Sequence, residues 1–419
     1  MLSCEKKDSA PEGFVLLPAG PELFDDLDAT IDAAKQYVIL KSFLWRNDAA
    51  GQRMARSLYA AAERGCKILI LKDRIGAFFE FAEGNGQSFF HDTPQDDPLF
   101  DSHSLQTVYA QARAVGRFYK NSPGTAVPNP LRNDFIEHPN ITVIDDFKLY
   151  DHSKVIIVDG QTAYLGGVGF GEEFMEPQNH WIDFMLKISG PVQCAEFIRV
   201  VGGLPSYHQD TDTEFYSGEM NGHLLKFIAG AEEQLDIEMA FLGNPQFIDA
   251  IAKRVAAGVR TQIYMPATAS SHNFRNLHFI RKLMDETADR RELLSVHTLP
   301  KMVHTKLLMR DSREVFFGSA NLSSDSNVLY ETNMRSASVD LFAAFQKALA
   351  EHHAVSAHME SPPKWRDFLV RWSCEYFAVK NQKLAMRLRR KQVEKIRRAC
   401  QQEICLLLNL PCRIPGHLP

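Results

Sequence analysis

Four absences narrow the field before any motif is read. The seven cysteines (Cys4, Cys66, Cys194, Cys374, Cys400, Cys405, Cys412) form no C-x-x-C pair, which speaks against a zinc site or a disulfide framework and for reduced, cytosolic thiols. No apolar run approaches the roughly 18 residues that a membrane-spanning helix needs, so any action on lipid would come from the membrane surface. The opening MLSCEKKDSAPEG has charged residues from Glu5 onward and no apolar core, so neither a secretory nor a lipoprotein signal is expected. Charge of one sign is also missing: 47 Lys and Arg stand against 52 Asp and Glu, a net −5, which does not describe a generic nucleic-acid binder.

What is present is a repeat. The chain has 419 residues, 45 % of them hydrophobic, enough by length for about two to three domains. LDATIDAAKQYVILKSFLW (27–45) carries an apolar helical stripe running into a strand-like run, and LLKFIAGAEEQLDIEMAFL (224–242) does the same, with Phe43 falling on Phe241. A second helix pattern, a glycine and another strand follow each: MARSLYAAAERGCKILIL (54–71) and FIDAIAKRVAAGVRTQIYM (247–265). Gly65 and Gly258 fit helix C-caps. Helical stripes alternating with short β runs predict an α/β sandwich in each half, so two tandem halves forming a pseudo-dimer.

The expected divisions are a tail over 1–22, a first half over 23–205, a second over 206–345 and a helical, basic C-terminal extension over 346–419. The connection falls in VGGLPSYHQDTDTEF (201–215), where Gly, Pro and Asp break the periodicity. The first half carries an insertion over about 76–130: 87 residues separate Gly65 from His152, whereas 46 separate Gly258 from His304. It holds Phe78, Phe79, Phe81, Phe89, Phe90 and Phe100 and reads either as a loop packed on its own aromatics or as a lid facing an acyl chain. In the extension, VKNQKLAMRLRRKQVEKIRRA (379–399) has nine Lys or Arg against one Glu. It reads as a basic amphipathic helix suited to an anionic membrane surface, or as a solvated helix on the protein body.

Each half then presents the same short pattern, HSKVIIVD (152–159) and HTKLLMRD (304–311). His and Lys lie two apart at the start of an apolar run, so on a strand both side chains leave by one face. The Asp falls at a turn into a second apolar strand, TAYLGG or EVFFGS, which makes a hairpin. Asp159 and Asp311, though part of the motif, therefore read as mainly structural. Ser153 and Thr305 point to the other face and are assigned no chemistry. One H-x-K-x-x-x-x-D is a weak signal. Two copies, each followed at equal distance by Gly166-Gly167 or Gly318-Ser319, make a strong one.

Two His and two Lys suit a phosphodiester. Lys154 and Lys306 would stabilise negative charge on the nonbridging oxygens. One neutral His would attack phosphorus to give a phosphohistidine while the other, protonated, supplies the leaving alcohol. The lysines provide the charge that Mg²⁺ supplies elsewhere, so the chemistry calls for no metal and no cofactor. Histidines in different protonation states need support, and Asp183 in HWIDF and Glu331 in YETN are the carboxylates offered at similar spacing.

At these residues the chain resembles the phospholipase D superfamily, whose two His-Lys-Asp motifs form one active site between two α/β halves. The resemblance covers most of residues 25–340. HSKVIIVDGQTAYLGGVGFGEEF followed by HWIDFMLKISGP looks most like the bacterial cardiolipin synthase branch, and HTKLLMRDSREVFFGSANLSSDS carries its Gly-Ser-x-Asn segment. The resemblance implies His152 as nucleophile and His304 as general acid and base, with Lys154, Lys306, Ser319 and Asn321 on the phosphate and Asp183 and Glu331 orienting the histidines. One departure stands out. Gly169 occupies the first-half position where the family places the Asn that the second half keeps as Asn321.

The leading expectation is transfer of a phosphatidyl group between phospholipid alcohols, from phosphatidylglycerol or another anionic lipid, by a cytoplasmic protein peripheral on the inner membrane. Hydrolysis is the same first half-reaction with water as acceptor. A nuclease or DNA phosphodiesterase of the superfamily, or a scaffold without turnover, are the remaining readings. Nucleic acid is the less favoured partner, because both motif Asp residues are present. His180, His208, His352 and His353 read as surface or packing residues.

Overall fold

In the computed structural model, the described residues are 13–82, 88–91, 128–145, 151–203, 212–270, 273–327, 329–361 and 376. The first half is built on a seven-stranded sheet of β1 (Gly13–Pro18), β2 (Tyr37–Ser42), β3 (Lys67–Lys72), β4 (Ile141–Ile144), β5 (Val155–Val158), β6 (Thr162–Gly166) and β7 (Phe184–Ser189), in the order β1-β7-β6-β5-β2-β3-β4. The second half has β8 (Thr213–Gly218), β9 (Gln234–Met239), β11 (Arg260–Pro266), β12 (Leu294–Leu299), β13 (Lys306–Arg310), β14 (Glu314–Gly318) and β16 (Glu331–Ser336), with the short β10 (Leu242–Gly243), β15 (Leu322–Ser323) and β17 (Ala357–His358). Its main sheet runs β8-β16-β14-β13-β9-β11-β12-β17. Read from β1 and from β8, the first seven strands of each sheet correspond one to one.

The strands are apolar on both faces because both faces are covered. In β5, Val155 and Ile157 face the seam between the sheets, where Ile39, Leu186, Leu307, Met309 and Phe317 meet them. Ile156 and Val158 face outward onto the helices Pro21–Asp32 and Ala49–Glu63. The second sheet does the same with Asn221–Ala229, Pro245–Ala256 and Asn273–Glu286. Helix Pro191–Val201 enters the seam from the first half, with Phe197 against Phe215 of β8, ring centroids 5.0 Å apart. Helix Val339–Val355 enters it from the second, with Phe345 at 6.1 Å from Phe184. Each half thus clamps the other.

The local signals fall where the chemistry requires them. Asp48 and Asn244 cap corresponding helices, accepting from Gly51 N and Gln246 N at 3.0 Å each. Gly65 and Gly258 end those helices with φ of 94° and 99°, which L side chains resist. Strand register aligns Lys41, paired with Val155, with Glu238, paired with Leu307. The Phe43 and Phe241 correspondence therefore lies one residue out of strand register.

Two expected boundaries are corrected. The 1–22 tail contains β1, which pairs antiparallel with β7 from Gly13↔Ser189 to Pro18↔Phe184, because GFVLLP covers the sheet edge. The extension expected from 346 begins inside helix Val339–Val355, whose Leu349 lies in the seam core, and β17 then pairs with β12. Of the insertion, Phe89 and Phe90 are buried against each other and against Trp45 and Phe135, which lie outside it. Phe100, the connection 204–211 with His208, and the basic stretch 379–399 lie outside the described residues. Among the described residues no helix is long and apolar enough to cross a membrane.

Candidate active site

The two motifs meet at the seam, held by short crossings between the halves. Asp151 bridges Tyr330 and Ile182 bridges Val303. His152 N donates to Tyr330 O at 2.7 Å, and His304 N donates to Ile182 O at 2.7 Å. The middle residues of the motifs face the other half, as their strand position requires, and find a task there. Thr332 Oγ1 donates to Ser153 Oγ at 2.8 Å, and Thr305 Oγ1 donates to Ile182 O at 3.2 Å.

The supporting carboxylates are exchanged. His152 Nδ1 lies 3.0 Å from Glu331 Oε2, and His304 Nδ1 lies 2.7 Å from Asp183 Oδ2. Each histidine therefore takes its carboxylate from the opposite half. A carboxylate on Nδ1 fixes the Nδ1–H tautomer and leaves the Nε2 lone pair for chemistry. Lys154 Nζ donates to His152 O at 2.6 Å. Lys306 Nζ bonds His304 O and lies 2.8 Å from His304 Nδ1 and 3.9 Å from Asp183 Oδ2.

The electrostatics follow from burying four cationic or basic groups around two acids. Burial and then Lys306 push His304 down to about 3. Burial also lowers His152, with Lys154 acting in the same sense and Glu331 opposing. Burial draws Lys154 down to about 7 and Lys306 to about 8, against the pull of Glu331 and Asp183. Burial alone would raise Asp183, but Lys306 and His304 together hold it below its ordinary value. Basic groups therefore outnumber acids here, an arrangement that suits an anion.

The Ser319 hydroxyl is engaged with the supporting acid: its Oγ donates to Glu331 Oε2 at 2.6 Å and accepts from Thr332 N at 3.0 Å. Gly167 holds the corresponding place, and a Cβ there would come within 2.3 Å of Asp183 Oδ2. The Gly–Asp and Ser–Glu pairs are thus two ways of seating one carboxylate. Asp159 and Asp311, read from the sequence as motif members with a mainly structural part, lie at the far ends of β5 and β13, about 20 Å along the strand from their histidines. Asp159 accepts from the amides of Lys35, Gln36 and Tyr37 at 2.8 to 2.9 Å, and Asp311 from those of Glu232, Glu233 and Gln234 at 2.8 to 3.2 Å. Both sit at φ 52°, a left-handed turn held by these bonds to residues far away in the sequence. Asn321 is buried, and its side-chain oxygen has no hydrogen-bond partner among the described residues.

Several neighbours carried no signal in the motifs. Asp151 accepts from Ser153 N at 3.0 Å and Lys41 Nζ at 3.1 Å, bracing the entry to His152. The only sequence hint was a lysine inside the apolar run YVILKS. The Phe43 ring stands edge-on to His152 at 4.8 Å, while Phe174 and Trp181 flank His304 at 5.3 and 5.5 Å. The other histidines bind elsewhere: His352 pairs with Glu238 at 2.6 Å, His353 with Tyr264 at 2.9 Å, and His180 with Glu176 O at 2.9 Å.

A duplicated α/β fold that joins two His-Lys pairs across a pseudo-twofold seam, each histidine backed by the other half's acid, defines a class of paired-motif proteins in which neither half holds a complete site. A family model described as "Cardiolipin synthase, PLD-like domain" matches residues 224–353. Cardiolipin synthase A of Pseudomonas aeruginosa (strain PAO1) is 23 % identical over 346 residues, covering 74 % of this chain and 60 % of that protein. Cardiolipin synthase A of Pseudomonas entomophila (strain L48) is 24 % identical over 342 residues, covering 74 % and 62 %. The phosphatidylserine synthase structure from Haemophilus influenzae Rd KW20 superposes with a TM-score of 0.63 at 13 % identity, covering 88 % of this chain and 94 % of that one. The chain is thus similar over residues 224–353 to the PLD-like domain of cardiolipin synthases, and over most of its length to the phosphatidylserine synthase fold. It spans about 60 % of the length of the curated relatives it matches.

Proposed function

We propose that the protein is a phosphatidyltransferase of cardiolipin synthase type, moving a phosphatidyl group between phospholipid alcohols through a phosphohistidine. The observation that carries the reading is the exchanged pairing of His152 with Glu331 and His304 with Asp183, beside Lys154 and Lys306. In the first step His152 Nε2 attacks phosphorus, the P–O bond to the leaving alcohol breaks, and His304 gives that oxygen a proton. In the second, His304 takes the proton of the acceptor alcohol, the new P–O bond forms, and the P–N electron pair returns to His152. The lysines hold the nonbridging oxygens, supplying the charge a metal would otherwise provide. An arriving phosphodiester anion raises both histidines and lysines toward their charged forms, which equips His304 to act as the acid. The substrate is phosphatidylglycerol or another anionic phospholipid, reached from the cytoplasmic face of the inner membrane, where the nine cations of residues 379–399 favour an anionic surface.

The test uses purified protein with phosphatidylglycerol vesicles and no added metal, with products resolved by mass spectrometry. Cardiolipin and glycerol from the wild type, but not from His304→Ala, are expected, with an alkali-stable, acid-labile phosphate on His152 in trapped enzyme. Phosphatidic acid instead would make the protein a hydrolase. Absence of both products overturns the lipid reading.

A further inference from the structure

The halves match in what supports the chemistry and differ in what surrounds it. In each, a buried guanidinium holds the turn that follows the Gly-Gly or Gly-Ser pair. Arg46 Nε donates to Glu173 Oε1 at 2.7 Å, and Arg275 Nη2 donates to Asp325 Oδ2 at 2.6 Å. Glu173 and Asp325 each lie 21 residues after their motif histidine, yet the two arginines come from different places in the chain. Arg46 stands on the segment bridged to Ser88, while Arg275 stands on a helix and reaches over Gly243, where a Cβ would come within 2.7 Å of its Nε.

The two turns then do different things. In the second half the turn fixes a polar group: Ser326 Oγ donates to Asn321 O at 2.8 Å. In the first half Phe174 stands where Ser326 does, and Trp181, two residues before its carboxylate, stands where Leu329 does. The Phe174 and Trp181 rings are 5.3 Å apart, and both lie against His304. Trp181 N donates to Glu173 O at 2.6 Å, so the Arg46–Glu173 pair also anchors the tryptophan. Gly169, where the second half has Asn321, completes the exchange: a Cβ there would touch the Phe174 ring at 3.5 Å. The first half has replaced an amide with an aromatic wall.

We infer that Phe174 and Trp181 form a specificity-determining wall that favours an alcohol over water as acceptor at His304. The inference rests on the two-step reading above, in which the acceptor must place its hydroxyl at His304 Nε2. A water molecule is held well only where it finds about two to four polar partners, whereas a phenyl ring offers none and an indole a single N–H donor. An alcohol brings its own carbon skeleton to that surface and loses nothing by the contact. Both acceptors discharge the same intermediate by the same bond changes, so the wall acts on their ratio.

The experiment measures that ratio with a donor that does not depend on lipid. Full-length protein is given bis(4-nitrophenyl) phosphate in water containing 1-propanol. Attack by water leaves 4-nitrophenyl phosphate and attack by propanol leaves the propyl 4-nitrophenyl diester, separated by mass spectrometry. Trp181→Ala should lower the alcohol-to-water ratio about tenfold and Trp181→Phe should keep it within about twofold, with Trp181→Leu between them. Misfolding removes both products equally and leaves the ratio untouched. An unchanged ratio in Trp181→Ala and Trp181→Leu overturns the inference. Variants that shift the ratio as expected, in a protein that makes neither cardiolipin nor phosphatidic acid from phosphatidylglycerol vesicles, uphold the wall and sink the lipid substrate. A wild type that cleaves neither overturns both.

Discussion

Asp183→Asn replaces a buried carboxylate with a neutral side chain of the same shape. Its Oδ2 lies 2.7 Å from His304 Nδ1 and 3.9 Å from Lys306 Nζ, while Oδ1 accepts from Phe184 N at 2.8 Å. The asparagine oxygen can still accept Nδ1–H, so the ring keeps its orientation. The lost element is the charge that faces the imidazolium formed in each turnover. Losing a charge-assisted hydrogen bond costs about 1.5–3 kcal/mol, and the attraction of two charges about 4 Å apart at an effective dielectric near 20 reaches about 4 kcal/mol. These overlap, so a total of about 3–4 kcal/mol, or roughly 10²–10³ in kcat/KM, is expected. A second effect has its own signature. Lys306 already sits near 8 because burial outweighs the help of Asp183, and without that help it falls by about one further unit or more. The lysine must be charged to hold phosphate, so activity is lost as pH rises through its pKa, and the alkaline limb of kcat/KM moves to lower pH in the variant. Profiles of kcat/KM against pH for both proteins test this. A loss below about tenfold, or an alkaline limb that does not move, refutes the assignment of Asp183 as the charge partner of His304 and Lys306.

Further outcomes follow from the same geometry. Ser319→Ala frees Glu331 from its 2.6 Å bond and should lower kcat by about tenfold with little change in KM. Gly169→Asn meets only ordinary contacts at its Cβ, 3.5 Å from Phe174 and 3.7 Å from Leu44. It should fold normally and lower KM by about threefold if the amide reaches the phosphate, as read from steady-state kinetics. Asp311→Ala removes the acceptor of three backbone amides and should cost about 2–4 kcal/mol in urea unfolding, while the folded fraction keeps its activity. Those amides hold Asp311 below its ordinary 3.8, so its contribution is present above that value and is lost as pH falls through the folded-state pKa. Acid unfolding of the variant should accordingly be shallower than that of the wild type.

The duplication and both motifs could be read from the chain because each rests on local rules. Strands buried on both faces leave unbroken apolar runs, helix ends leave Gly65 and Gly258, and His-x-Lys leaves a two-residue spacing. Asp183 and Glu331 were legible as the supporting acids, but their exchange was not, since a sequence gives spacing and not which histidine each acid meets. The bond from Ser319 to Glu331 was not legible for a related reason. A Gly-Ser pair near a phosphate site suggests a hydroxyl on phosphate, and only the length of Glu331 relative to Asp183 explains why that hydroxyl is occupied. β1 escaped because one strand with no hairpin partner nearby has a long-range mate, β7. Arg275 had no local signature at all, because it fills space over Gly243 from a helix 32 residues further on.

The exchange of carboxylates also sets a clock on synthesis. His152 and Glu331 are 179 residues apart in the chain. At ordinary elongation rates about 10–40 s pass between the emergence of the first and that of the second. Through that interval the first half can fold on its own helices, but its histidine has no acid and no partner base. On the proposed mechanism the growing chain is therefore chemically silent toward phosphodiesters until nearly all of the second half has been made.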